Sequence, residues 1–200
     1  MIYYKLVDDS DIDIDILLKL CKIAEPENVE ARIWNINWKR KVNIKELVVE
    51  ALSSSNLKFP AIKNILIGRL QPYDRSPIHI DQALGIEKEN NEIVFNIPLT
   101  PNPLSTMEWH TPNRWGAYQE SFASYNNPHK VRLYTEENSR LASSISLTQT
   151  FYARTDVPHR LVNNTGSVLY AMSLRFFENP DVGILKKIKA DERLAGCLRS

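Results

Sequence analysis

The most informative segment of this 200-residue chain is Ser76-Pro77-Ile78-His79-Ile80-Asp81-Gln82. Its isoleucines alternate with polar residues, and this period of two predicts a β-strand. Side chains two positions apart on a strand lie on the same face. His79 and Asp81 should therefore point together, offering one imidazole and one carboxylate toward a single point, while Ile80 faces the opposite side.

A second histidine in a comparable setting lies far along the chain. His159 follows Val157-Pro158 and precedes Asn163-Asn164-Thr165-Gly166, which is a strong hairpin-turn signal. Two imidazoles and one carboxylate can occupy one side of an octahedral metal ion and leave the other positions open. We expect His79, Asp81 and His159 to form a metal site of this kind.

The hydrophobic pattern divides the chain into three parts of what we expect to be a single domain. Residues 1–60 favour helices, with apolar stripes in 11–24 and 43–53, and a closing helix is predicted for 181–198. Between them, residues 61–177 carry short β-branched runs separated by Pro- and Asn-rich loops. This order indicates a mainly β fold, a barrel or sandwich with helices packed outside it. The predicted strands are 62–70, 78–81, 93–99, 105–110, 144–153, 159–162 and 167–177.

Residues 111–143 show the least regular pattern, with aromatic residues scattered among polar ones. A long irregular loop in a compact domain is usually disordered or functional, and the aromatic residues disfavour disorder. We therefore expect 111–143 to be a lid that contributes to substrate specificity.

Composition excludes several classes of partner. The 25 basic and 24 acidic residues leave a net charge of +1, which gives no electrostatic reason to expect nucleic acid or an anionic membrane. No apolar run has the length of a membrane-spanning helix, and the first residues lack the pattern of a secretory signal. We expect a cytoplasmic protein in which Cys21 and Cys197 are reduced thiols.

The chain resembles the Fe(II)/2-oxoglutarate oxygenase superfamily over residues 62–177. His79-Ile80-Asp81 and the distal Pro158-His159-Arg160 carry the resemblance, and Asn96–Thr100, Met107–His110 and Ser173–Phe176 resemble core strands of small prokaryotic and viral members. The resemblance implies a double-stranded β-helix related to the cupins, iron bound by the three side chains, and 2-oxoglutarate as co-substrate. The substrate is expected to be a small molecule, an amino acid or a peptide.

Members of the superfamily commonly carry an arginine that binds the far carboxylate of 2-oxoglutarate. At the corresponding position this chain has Leu169. Arg175 lies six residues later with the same strand parity, so it should point to the same face. Arg69 is the second candidate and Arg154 the third, because a planar guanidinium fits a carboxylate with two parallel hydrogen bonds.

Other residues and functions remain open at this stage. His110 could contact the substrate or co-substrate or be a half-buried structural histidine, Glu108 is not expected at the metal, and His129 is expected to be exposed. One alternative function is a cupin-type metalloprotein that does not use 2-oxoglutarate, which the apolar Leu169 favours. Another is a non-catalytic β-helix module in which the three side chains do not converge.

Overall fold

A computed structural model describes residues 2–8, 11–25, 33–35, 43–53, 55–81, 93–114, 116–124, 127–180 and 182, with the backbone alone at 33–35, 120–124 and 127–130. The helices are α1 (Ile14–Ile23) and α2 (Ile44–Ser53). The strands are β1 (Tyr4–Leu6), β2 (Ile33–Asn35), β3 (Ile62–Leu70), β4 (Ile78–Ile80), β5 (Ile93–Pro98), β6 (Asn102–Pro112), β7 (Gln119–Ser124), β8 (Asn127–Tyr134), β9 (Ser139–Leu147), β10 (Phe151–Arg154), β11 (His159–Asn163) and β12 (Leu169–Phe176). The predicted closing helix at 181–198, together with Cys197, lies outside the described residues.

The strands form two antiparallel sheets that pack face to face. The first sheet has the order β1-β10-β5-β12-β3-β2, and the second has the order β7-β8-β4-β11-β6-β9. Chain neighbours such as β3 and β4 lie in different sheets, so the chain winds back and forth between them. This is the double-stranded β-helix that the sequence resemblance implied, with the two helices placed before its core.

Both helices cover the outer face of the first sheet. Asp13 caps the start of α1 by accepting a hydrogen bond from the Ile16 backbone N–H at 3.0 Å. One apolar stripe from each helix then packs on alternate residues of β3, β5 and β12, where burial of apolar surface supplies most of the stabilisation. This layer contains Leu17, Cys21, Val48, Leu52, Ile65, Ile67, Phe95, Met172 and Leu174. Within the described residues, neither helix is long and apolar enough to cross a membrane.

A second apolar layer fills the space between the sheets. Leu70, Val94 and Phe151 of the first sheet meet Met107 and Trp109 of the second. Trp109 is fully buried, and its indole Nε1 donates a hydrogen bond to the Arg154 carbonyl at 2.9 Å. The same layer contains Leu169, which is 2% exposed.

Two predictions about the strands are wrong. The run 144–153 is not one strand: it is divided between β9 in the second sheet and β10 in the first. The stretch 111–143 is not an irregular loop either, because it contains β7, β8 and parts of β6 and β9. β7 and β8 form a hairpin at the edge of the second sheet, and β8 pairs with β4.

Candidate metal centre

The two predicted histidine ligands come from neighbouring strands. His79 on β4 and His159 on β11 are directly opposite each other in the antiparallel register. Directly opposed residues place their side chains on the same face, here the one that looks into the space between the sheets. The ring centroids are 4.5 Å apart with planes inclined at 47°.

Asp81, the residue that follows β4, completes the group. It is two positions after His79 and continues the inner face on which His79 lies. Its Oδ1 lies 3.3 Å from Nε2 of His79, and its Oδ2 lies 3.7 Å from Nε2 of His159. One ligand atom from each of the three side chains lies within 4.8 Å of the others, and this is the metal-ligand group found among the described residues. The convergence expected from the sequence is therefore present in the structure.

Backbone carbonyls fix the orientation of both imidazoles. Nδ1 of His79 lies 2.8 Å from the Pro77 carbonyl, and Nδ1 of His159 lies 2.9 Å from the Val157 carbonyl. A carbonyl only accepts, so each Nδ1 carries a proton, and Nε2 of each ring is the nitrogen that faces Asp81 and can bind a metal once it is deprotonated. Such outer contacts orient metal-binding histidines in proteins. Sequence reasoning missed them, although both acceptors stand two residues before their histidine.

The electrostatics of the group hold Asp81 ionised and His159 neutral. Burial acts to raise the pKa of Asp81, but the charge of Arg175 and the contacts with the two histidines outweigh it, and the pKa lies well below the usual value. Burial, followed by the charge on His79, lowers the pKa of His159 to about 4. An ionised carboxylate and a neutral imidazole are the forms that bind a metal.

Arg175 is the arginine candidate that the fold brings to the three ligands. On β12 it shares the inner face with Leu169, and its Nη2 donates to Oδ2 of Asp81 at 2.6 Å. Its Nε is buried without a hydrogen-bond partner among the described residues. The structure therefore agrees with the expectation that Arg175 and Leu169 point to the same face of their strand.

The fold does not bring Arg69 and Arg154 to the ligand group. Arg69 shares the outer face of β3 with Ile65 and Ile67, which pack under the helices. It pairs with Glu25, which also accepts from the Tyr170 hydroxyl. Arg154 donates to Asp156 with its Nε at 2.8 Å and with Nη2, and both side chains are buried. Each guanidinium is thus engaged with a carboxylate away from the three ligands.

His110 and Glu108 lie on the opposite face of the second sheet from the metal ligands. Glu108 is directly opposite Arg160, whereas the next residue, Trp109, is opposite His159. Glu108 accepts from Nε of Arg160 at 2.7 Å, and Nε2 of His110 lies 3.4 Å from its Oε2. This placement agrees with a structural role for His110. The side chain of His129 lies outside the described part of the chain.

Comparison with known proteins gives no match to a family model or to a curated protein sequence. Among solved structures, the chain is similar to the non-heme alpha ketoglutarate dependent carbocyclase SnoK from nogalamycin biosynthesis. The TM-score is 0.55 at 13% identity, over 87% of this chain and 79% of that one. A prolyl-4-hydroxylase from Pseudomonas putida matches with a TM-score of 0.47 at 9% identity, over 90% of this chain and 95% of that one. At these identities the likeness concerns the fold. The chain therefore has the double-stranded β-helix fold found in the Fe(II)/2-oxoglutarate oxygenase superfamily, and the resemblance read from its sequence is confirmed at that level.

Proposed function

We propose that the protein is a mononuclear Fe(II)- and 2-oxoglutarate-dependent oxygenase. The observation that carries the proposal is the convergence of His79, Asp81 and His159, with one ligand atom from each within 4.8 Å of the others. Two imidazole nitrogens and a carboxylate oxygen are the donor set of the facial iron sites of oxygenases. When bound there with a 2-oxo acid, Fe(II) supplies the activation of dioxygen.

Arg175 is the proposed anchor for the far carboxylate of 2-oxoglutarate. Its Nε is a buried donor beside the ligand group and has no hydrogen-bond partner in the described part of the chain. A charged donor buried without a partner is costly unless a ligand completes it. A guanidinium also matches a carboxylate in shape and charge. Leu169 belongs to the apolar layer between the sheets, so that position offers no anchor.

The apolar layer and the β7–β8 hairpin are proposed to shape the rest of the site. Trp109 is directly opposite His159 and fully buried, so it closes one side of the pocket to water. On the other side, His79 is directly opposite Leu133 of β8. We therefore assign to the hairpin the substrate contact first expected of a lid, for a small molecule, an amino acid or a peptide.

An anaerobic titration with Fe(II) and 2-oxoglutarate tests the proposal. We expect a weak visible charge-transfer band that needs both components and is lost in His159→Ala. His110→Gln is the matched control, because His110 lies on the far face of the same sheet and its replacement should leave the band intact.

Two outcomes contradict the proposed function. Metal binding without the band on addition of 2-oxoglutarate would instead support a cupin-type metalloprotein that does not use this co-substrate. Failure to bind metal at all, in a protein shown to be folded, would support a non-catalytic β-helix module. Succinate formation with dioxygen, measured in the presence of candidate substrates, then extends the test to turnover.

A further inference from the structure

The permanently charged guanidinium of Arg175 lies directly against Asp81, the one carboxylate among the three candidate metal ligands. Nη2 of Arg175 donates to Oδ2 at 2.6 Å, and the same Oδ2 is the oxygen that lies 3.7 Å from Nε2 of His159. The other oxygen, Oδ1, lies 3.3 Å from Nε2 of His79. Both oxygens of the carboxylate are therefore already in contact with other groups of the site.

A divalent cation at this group has to share Asp81 with the guanidinium. Like charges repel strongly where water is scarce, because the effective dielectric constant is far below that of water. The side chains of Arg175 and Asp81 are only 13% and 10% exposed, so solvent screens this repulsion poorly. Arginine stays protonated under all working conditions, so it cannot relieve the conflict by losing its proton.

The guanidinium of Arg175 retains a donor that can pair with an anion. Nε of Arg175 is buried without a partner among the described residues. Ser173 shares its face two residues earlier, and Asn96 is directly opposite Ser173 on β5. The amide of Asn96 makes only a weak contact among the described residues, to Sδ of Met107 at 3.6 Å. These side chains provide polar surroundings for a carboxylate beside Arg175.

We propose that Arg175 couples metal binding to binding of the far carboxylate of the co-substrate. The guanidinium competes with the metal for Asp81 and weakens binding of the metal alone. A carboxylate that pairs with Arg175 neutralises it and removes this penalty. The inference rests on the proposed function and adds to it a reason why this site should bind a dicarboxylic 2-oxo acid together with its metal.

The first test measures Mn(II) binding without co-substrate, by calorimetry, in the unaltered protein and three variants. Arg175→Gln should bind Mn(II) at least about tenfold more tightly than the unaltered protein, because the competing charge is gone. Arg140→Gln makes the same charge change at an exposed position of β9 and should leave the affinity unchanged. Arg175→Lys keeps the charge and should remain weak. Equal or weaker binding by folded Arg175→Gln overturns the inference.

The second test uses the unaltered protein and does not depend on folding of a variant. 2-Oxoglutarate and pyruvate both offer a 2-oxo acid to the metal, but pyruvate lacks the far carboxylate. At saturating concentrations of each acid, 2-oxoglutarate should tighten Mn(II) binding at least about tenfold more than pyruvate does. In Arg175→Gln the two acids should act equally. Equal enhancement in the unaltered protein overturns the coupling.

The two proposals fail in different ways. If Mn(II) binds, the charge-transfer band with Fe(II) and 2-oxoglutarate forms, and Arg175→Gln has unchanged metal affinity, the coupling is wrong and the oxygenase proposal stands. If none of the folded proteins binds Mn(II) or Fe(II), both are wrong.

Discussion

Replacing Asn163 by alanine should cost a large part of the free energy of unfolding. Its side chain has no exposed surface and fills the turn between β11 and β12. Nδ2 donates to the carbonyls of Gln71 at 2.9 Å and Ser167 at 2.7 Å. Oδ1 accepts from Ser105 Oγ at 3.2 Å and from the Thr165 N–H and hydroxyl at 3.1 and 2.7 Å.

The magnitude follows from the partners that alanine would leave unpaired. Each buried polar group without a partner costs about 1–3 kcal/mol, and some of those around Asn163 can relax toward water or each other. We expect a loss of about 3–5 kcal/mol for Asn163→Ala. Because the typical domain is stable by only about 5–15 kcal/mol, such a loss is readily measured by urea unfolding.

A control substitution in the same turn distinguishes the loss of these hydrogen bonds from a general sensitivity of the turn to substitution. Asn164 is exposed, and Asn164→Ala should change stability by less than about 0.5 kcal/mol. A loss below about 1 kcal/mol for Asn163→Ala would contradict this estimate, because the five hydrogen bonds would then be replaceable at little cost. Equal losses in both variants would place the effect in the backbone of the turn.

Two further predictions concern pH and the core. Burial acts to lower the pKa of His79, but contact with Asp81 outweighs it and raises the pKa above 6.5, whereas the pKa of His159 falls to about 4. From pH 6.5 down to about 4, Mn(II) affinity should therefore fall about tenfold for each unit by which the pH is lowered, since one proton has to be displaced from His79; a hundredfold slope in calorimetric titrations would contradict this. Trp109→Phe should destabilise the fold by about 2–4 kcal/mol in urea unfolding, because it leaves a cavity and removes the donor to the Arg154 carbonyl. A loss below about 1 kcal/mol would show that the indole is dispensable.

The sequence predicted those helices and strands whose hydrophobic pattern directly reflects which of their residues are buried. β3 and β12 are covered on one face by helices and on the other by the opposite sheet, so their apolar residues are plain in the sequence. α1 and α2 each have one buried stripe, and both were found close to their observed bounds. In these segments the local period and the environment coincide.

Pairing between distant strands explains why other elements were missed. β7 and β8 have a mixed composition without clear alternation, and they form strands because β8 adds to the free edge of β4. The turn after Leu147 contains neither glycine nor proline, so nothing local indicates that the chain leaves one sheet there and enters the other as β10. A strand of this kind depends on its partner more than on its own residues.

The same division applies to the candidate site. That His79 and Asp81 share a face, and that Arg175 shares one with Leu169, follows from the sequence alone, because alternation along a strand is a local property of the backbone. The folded chain was needed to show that His159 lies opposite His79 and that Arg175, rather than Arg69, reaches Asp81. Alternation fixes the direction of a side chain relative to its neighbours on the strand, whereas packing between sheets and helices fixes which charged partner it meets.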